Sequence, residues 1–254
     1  MDFFLRIFFG KICRRMRKKL YLCNYVFMAR KEHIYDYGTL FKGVSREEKR
    51  MLAAAESERC FAKGKVIYKE GGRPSELYCL LEGRVKIYRE GMDRRQTMRL
   101  VRTGECFGYR PYMLHQKYAM TAETMSEVKV VCVKMCEVRR LMARNPKVAM
   151  NFVRDLSAQL GQTDGRLVSL TQKHIRGRMA DALLMMLDTY GRELNTGLLA
   201  CQMSREEIAN LANMTTANGI RTLAAFNDEG VVELQGKRIK IMNEMQLRKI
   251  SALG

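Results

Sequence analysis

The sequence predicts an α+β chain with a strand-rich first half, one long helix, and a compact C-terminal unit of short helices and a hairpin. Three observations carry this reading. Between Cys60 and Met135, short β-rich runs are punctuated by glycines. From Glu137 the apolar period lengthens from two residues to three or four. After Ser204, two capped helical segments flank a sharp turn and lead into two apolar runs around Gly236.

The strand-rich part is preceded by a helical lead-in, "SREEKRMLAAAE", in which Ser45 and Glu48 have the spacing of a capping box. The strands are expected in "GKVIYKEGG", "ELYCLLEGRVKIYREG", "QTMRLVRTGECFGY" and "AMTAETMSEVKVVCVK". Leu77, Cys79 and Leu81 alternate with Tyr78, Leu80 and Glu82, and Val85 and Ile87 face away from Lys86 and Tyr88. Several strands of this length with glycine turns predict an antiparallel jelly roll or barrel.

The helical part opens with a short helix, breaks at Pro146, continues as one long helix and then as a further helix ending near Gly191. Within the long helix Phe152, Leu156, Leu160, Thr163, Leu167 and Leu170 recur every three or four residues. A narrow seam on so long a helix predicts a helix partner and therefore a homodimer. The polar interruptions Gln159, Gln162 and Asp164 argue against a helix that packs only on its own barrel.

In the C-terminal part Ser204 and Glu207 repeat the capping-box spacing. A turn falls near Asn213 and Met214, and a second helix is expected from Thr215 to about Asn227, with Gly230 as its C-cap. Ile208, Leu211, Ala212, Ile220, Leu223 and Phe226 supply the apolar faces that would lock the two helices, which is the pattern of a helix-turn-helix. Thr215, Thr216, Asn218 and Arg221 then stand at the start of the helix that enters the major groove: hydroxyls for phosphates, an amide suited to adenine, a guanidinium suited to guanine. The runs Val231–Leu234 and Arg238–Ile241 around Gln235-Gly236-Lys237 form a hairpin with a basic tip, the wing of a winged helix, with Lys237 placed for the DNA backbone.

The net charge of +19 and a pI near 9.8 call for an anionic partner, double-stranded DNA first. The charge divides as +7 over residues 1–35, +10 over 36–172 and +2 over 173–254, so the reader works by placement of charge and not by its excess. Residues 1–35 read as a basic extension, poorly ordered or upstream of the true start, for which Met28 is the candidate. The alternative is an amphipathic surface helix with Phe3, Phe4, Ile7 and Phe8 on one side. No run is apolar for the ~18 residues of a membrane span, so no stable membrane insertion is expected. The eight cysteines lack a C-x-x-C pair and read as reduced thiols of a cytoplasmic protein, with only Cys132 and Cys136 closely spaced.

These motifs together resemble the Crp/Fnr family of bacterial transcription regulators over about Tyr37 to Met242. The resemblance rests on "KGKVIYKEGGRPSELYCLLEGRVKIY", "NPKVAMNFVRDL" and "MSREEIANLANMTTANGIRTLAAFNDEGVV". It implies a cyclic-nucleotide-binding-like jelly-roll effector domain over 36–145, a dimerisation helix over 146–172 and a winged helix-turn-helix DNA-binding domain over 173–254. It further implies homodimers that bind a two-fold related DNA site and act with RNA polymerase. By position, Ser204 and Arg205 match phosphate-contacting residues, and Thr215, Thr216, Ala217, Asn218 and Arg221 occupy the recognition positions. Ala217 stands where a glutamate commonly reads cytosine, which leaves Arg221 as the principal base reader.

The resemblance also marks an effector pocket. Members that bind cyclic AMP hold its ribose with a glutamate just after Phe-Gly and its phosphate with an Arg-Ser pair some residues later. In "FGYRPYMLHQKYAMTAET", Tyr109 follows Phe107 and Gly108, and Gln116-Lys117 or Lys117-Tyr118 replaces Arg-Ser. On the long helix Thr163 is kept, but Asp164 replaces the serine of a Thr-Ser pair that contacts adenine. Three departures in one site argue against cyclic AMP. Arg110 and Lys117 remain as a pair for another anion, while Met113, His115 and Met120 are of types that ligate haem iron, so a haem- or redox-sensing regulator is the alternative reading. A metal-dependent enzyme on the same jelly roll requires clustered histidines; the chain has three, His33, His115 and His174, with no H-x-H, and is read as not an enzyme.

Overall fold

The computed structural model of the chain describes residues 33–36, 38–92 and 94–254. The expectations for the basic extension lie outside the described residues as far as residue 32. Ile34 and Tyr35, which the sequence reading assigns to that extension, belong instead to the folded unit: Ile34 opens a 3-10 turn and is fully buried, and the Lys49 ammonium lies 4.9 Å over the Tyr35 ring.

Helix α1 (Arg46–Ala55) begins at Ser45, whose hydroxyl accepts from the Glu48 N–H while the Glu48 carboxylate accepts from the Ser45 N–H, the capping box expected from sequence. Eight strands follow: β1 (Glu56–Phe61), β2 (Val66–Tyr68), β3 (Glu76–Glu82), β4 (Val85–Glu90), β5 (Arg95–Val101), β6 (Cys106–Phe107), β7 (Thr121–Thr124) and β8 (Val128–Lys134), with a single-turn helix α2 (Arg110–Met113) after β6. They form two four-stranded sheets, ordered β1-β8-β3-β6 and β2-β7-β4-β5, with antiparallel pairing throughout. This is the jelly roll. β1, which the sequence reading leaves outside the strands, pairs along its whole length with β8.

The alternation in β3 does not separate an inner face from a wet one. Tyr78 and Leu80 join Val85, Ile87, Phe107 and Val130 between the sheets. Leu77, Cys79 and Leu81 are equally buried, against Phe41, Leu52, Val138, Leu141 and Phe152. Helices cover the outer face: α1, then α3 (Met135–Arg144), then α4 (Pro146–Gln172). Asn145 sets the break before Pro146, its side chain accepting from the N–H groups of Lys147 and Val148 while the proline occupies the first turn, where no N–H is needed.

α4 is 27 residues long and changes company along its length. Phe152 and Leu156 pack on the barrel, and Gln159, 7% exposed, also faces the barrel, so this polar residue is not an interruption of an outward seam. Met150, Val153, Leu160, Leu167 and Val168 are left about half exposed or more. Val153, Leu160 and Leu167 recur every seven residues and so form one outward stripe.

The C-terminal unit is built around α5 (Ile175–Tyr190), α6 (Arg205–Leu211), α7 (Thr216–Asp228), the antiparallel hairpin β9 (Val232–Gln235) and β10 (Arg238–Ile241), and α8 (Glu244–Leu253). Its core includes Met179, Leu183, Ile208, Leu211, Leu223, Phe226, Val231 and Ile239. α8, absent from the sequence reading, starts at Asn243, whose side chain accepts from the Gln246 N–H. It packs so closely on α5 that a Cβ at Gly177 would meet the Gly254 backbone at 2.6 Å. Among the described residues no helix is long and apolar enough to cross a membrane.

Candidate nucleic-acid interface

Two short helices and a turn set the reader. The Ser204 hydroxyl accepts from the Glu207 N–H (3.1 Å) and the Glu207 carboxylate from the Ser204 N–H (2.9 Å), which fixes the start of α6. Asn213 takes a left-handed φ of 53° and lets the chain reverse, with the Met214 N–H donating to the Ala209 carbonyl. Thr215 then caps α7, its hydroxyl accepting from the Asn218 N–H. The helices meet where side chains are smallest: a Cβ on Gly219 would stand 2.9 Å from the Ala209 Cβ.

That contact rotates α7 relative to the expected packing. Gly219, Thr222, Leu223 and Phe226 form its inner face. Ile220, expected in the core, is turned ~100° away from Gly219 and is 50% exposed. The outer face therefore carries Thr216, Ala217, Ile220, Arg221 and Ala224, all exposed. Arg221 donates to the Asn218 side-chain oxygen (2.5 Å), and Asn218 is half-buried. The guanidinium is thus held to the helix start by the amide.

The wing meets the same surface. Arg205 donates to the Gly236 carbonyl (2.7 Å), the left-handed turn residue of the β9–β10 hairpin, beside the exposed Lys237. Burial lowers the Arg205 pKa, and its Nη1 has no hydrogen-bond partner among the described residues. Ser204, Arg205 and the wing tip thus share one edge of the reader, and Thr215, Thr216, Asn218 and Arg221 lie at the start of α7.

The reader also touches the barrel through α6 and the turn. The Lys86 ammonium bridges Glu207 (2.8 Å) and the barrel's own Glu123 (3.1 Å). Arg94 donates to the Asn213 side chain (3.0 Å) and Gln96 to the Asn210 carbonyl (3.0 Å). Arg166 of α4 donates to the carbonyls of Thr97 (2.6 Å) and Leu211 (2.8 Å). The outer face of α7 takes no part in these bonds.

The loop after β6 has a different chemistry. Phe107, Gly108 and Tyr109 are buried, and the Gly108 φ of 86° brings its backbone so near Tyr78 that a Cβ would stand 2.7 Å from that ring. Tyr109 donates its hydroxyl to the Asp155 carboxylate of α4 and accepts from the Gln159 amide (3.2 Å). Arg99 donates to the Gln159 oxygen (3.2 Å) and pairs with Glu105 (3.0 Å). Burial, reinforced by the Asp155 carboxylate, raises the Tyr109 hydroxyl pKa, so it stays a donor. Inside the barrel Tyr118 stacks on Tyr68 at 3.9 Å, Tyr68 contacts Tyr78 and Phe107, and Tyr78 stacks on Phe107 at 5.5 Å.

Residues 58–145 match the family model of the cyclic nucleotide-binding domain, and residues 177–250 that of the Crp-like helix-turn-helix domain. The chain is 26% identical over 212 residues to a CRP-like cAMP-activated global transcriptional regulator of Mycobacterium tuberculosis, covering 83% of this chain and 95% of that protein. It is 27% identical over 213 residues to the cyclic AMP receptor protein of Thermus thermophilus, covering 84% and 96%. Among solved structures it is similar to a CRP-family transcriptional regulator of Thermus thermophilus, with 26% identity, a TM-score of 0.64 and coverage of 76% and 96%. FixK2 from Bradyrhizobium japonicum shares the fold, with 23% identity, a TM-score of 0.69 and coverage of 77% and 96%. This chain belongs to the Crp/Fnr family of transcription regulators.

As a Crp/Fnr-type DNA-binding regulator, the chain carries its reader positions and its barrel positions on separate surfaces. The residues that sequence singles out for an effector do not converge. Phe107, Gly108 and Tyr109 are interior, whereas Arg110, His115, Lys117, Thr163 and Asp164 are exposed. His115 holds a left-handed φ of 55° at the surface. Met113 packs with the helix-covered cluster and Met120 with the inter-sheet cluster, so these two do not face a common centre with His115. Sequence reasoning gives no site role to Asp155, Lys86, Tyr68 and Tyr78, and takes Gln159 only as a polar interruption of the helix seam. Asp155 and Gln159 carry one signal: polar residues four apart, on the same side of a helix as Phe152 and Leu156.

Proposed function

We propose that the chain is a homodimeric, sequence-specific transcription regulator whose barrel does not respond to cyclic AMP. The observation that carries the second half is the interior of the barrel. A cyclic nucleotide needs a carboxylate for its ribose and a guanidinium for its phosphate. Here Tyr109 commits its hydroxyl to Asp155, Tyr118 lies stacked on Tyr68, and Arg110 and Lys117 are at the surface. The groups present do not fit that ligand, and the link that a ligand makes between barrel and long helix is made by Tyr109 and Asp155.

The dimer reading is supported by the outward stripe Val153, Leu160 and Leu167 on α4, with Gly161 and Gly165 beside it leaving open space for a second helix to approach. Two readers held by such a pair enter successive major grooves ~34 Å apart. Ser204, Arg205 and Lys237 contact phosphates, Thr215, Thr216 and Asn218 position the helix, and Arg221 reads guanine through its fork of donors. RNA polymerase is the protein partner at the promoter.

A binding-site selection with the full chain tests this. It is expected to return a two-fold related site, and Arg221→Ala is expected to relax one base pair per half-site at a cost of ~1–3 kcal/mol. Recovery of an asymmetric site, or unchanged preference in the variant, sinks the assignment.

A further inference from the structure

The rotation of α7 puts an apolar strip where a base-reading helix ordinarily shows polar groups. Ala217, Ile220 and Ala224, at i, i+3 and i+7, run along the exposed face, with Arg221 as the one charged side chain on that strip. Ile220 is 50% exposed, whereas its neighbours Gly219, Thr222 and Leu223 are buried on the inner face, so half of the isoleucine is open to a ligand.

Only one base edge in the major groove offers an apolar group, the C5-methyl of thymine. We infer that Ile220, with Ala217 one turn before it, reads thymine methyl groups next to the guanine read by Arg221. This rests on α7 being the reading helix. The chemistry discriminates in both directions. A β-branched side chain on a helix is held in one preferred rotamer and presents a fixed apolar knob that a methyl group can cover. Cytosine at the same place would set its N4 amino group against that knob, away from water and without an acceptor. Neither Ala217 nor Ile220 can supply that acceptor, whereas a glutamate at the position of Ala217 could. The strip thus moves the preference of the half-site from cytosine to thymine. Ala217 lies ~4.5 Å before Ile220 along the helix axis, which places the two contacts on neighbouring base pairs.

The test uses the full chain and a duplex carrying its selected site, with affinity read by fluorescence anisotropy at fixed salt. Each thymine of the half-site is replaced in turn by deoxyuracil, which removes the methyl group and nothing else. One or two positions per half-site are expected to bind roughly fourfold more weakly, burial of one methyl being worth ~0.8 kcal/mol. Cytosine there is expected to weaken binding further, and 5-methylcytosine to recover part of the loss. In Ile220→Ala the deoxyuracil penalty should vanish at the thymine that Ile220 covers, while the guanine preference set by Arg221 and any penalty at the thymine beside Ala217 persist; Ile220→Val, with less change in volume, should show a reduced penalty. If deoxyuracil is tolerated at every thymine, or the penalty is the same in both variants, the inference is wrong. If the chain selects no preferred duplex at all, the reading of α7 as a base reader fails first, and this inference with it.

Discussion

Tyr109 of the loop after β6 donates its hydroxyl to Asp155 of α4, 46 residues further along the chain. Gln159 ties the same pair to Arg99 and through it to Glu105, so one polar chain runs from the barrel wall to the long helix. In a Crp/Fnr regulator the barrel and the long helix are the two parts that an effector would couple. Here side chains of the protein couple them.

Tyr109→Phe removes the donor and keeps the ring, which packs edge-on against Phe152 with centroids 5.2 Å apart. The Asp155 carboxylate then loses one bond in a mostly buried setting, and the chain is expected to lose about 1–2 kcal/mol of stability. Urea unfolding followed by circular dichroism measures this as a lower midpoint with an unchanged slope. Tyr109→Glu, which puts a second carboxylate beside Asp155, should cost more and should not create cyclic AMP binding by calorimetry.

Lys86 holds the reader to the barrel. Lys86→Met keeps the stem and leaves Glu207 partly buried without its cation and Glu123 with Arg95, at 3.7 Å, as its remaining cation, and about 2 kcal/mol should be lost. The pH dependence follows from Glu207. Burial pushes its carboxyl upward, but the Lys86 ammonium and the Ser204 N–H outweigh that, and its pKa is held below the ordinary 4.5. A depressed carboxylate contributes stability that is fully present above about 4.5 and fades as the pH falls through the lowered value. The wild-type urea midpoint should therefore be flat near neutrality and fall below about 4.5. The gap between wild type and Lys86→Met should close over that acid range.

Gly219→Ala tests the helix contact. The new Cβ would meet that of Ala209 at 2.9 Å, and both are fixed to backbone, so the helices must separate. The clash is expected to cost ~1–3 kcal/mol, offset in part by the ~1 kcal/mol that alanine gains over glycine within a helix. Sequence-specific DNA binding should fall more than overall stability. Adding Ala209→Gly removes the opposing methyl and should restore binding; a double variant no better than the single would place the defect elsewhere.

Much of this architecture is legible in the sequence because its signals are local. The capping spacings at Ser45 and Ser204, the break at Pro146 and the glycine-separated strands depend on neighbours a few residues away, and each element stands where those signals place it. What sequence misses depends on partners that are distant in the chain. Alternation in β3 cannot reveal that helices cover its second face. The Tyr109–Asp155 bond has no local signature. Ile220 reads as a core residue because an isoleucine next to a glycine looks like the packing residue, yet the tight approach at Ala209 requires the glycine to face inward, and one residue of offset is ~100° of rotation on a helix. The α8 helix, capped by Asn243, carries Met245, Leu247, Ile250 and Leu253, but only Leu247 is fully buried, and its packing on α5 shows why it forms.

The most direct measurement of the central claim is the affinity of the full chain for its selected duplex, by fluorescence anisotropy, without cyclic AMP and with the nucleotide in large excess. A barrel filled by Tyr68, Tyr78, Tyr118 and Phe107, and linked to the long helix by Tyr109 and Asp155, predicts tight, sequence-specific binding in both conditions with the same Kd. Binding that appears only when cyclic AMP is added would contradict it.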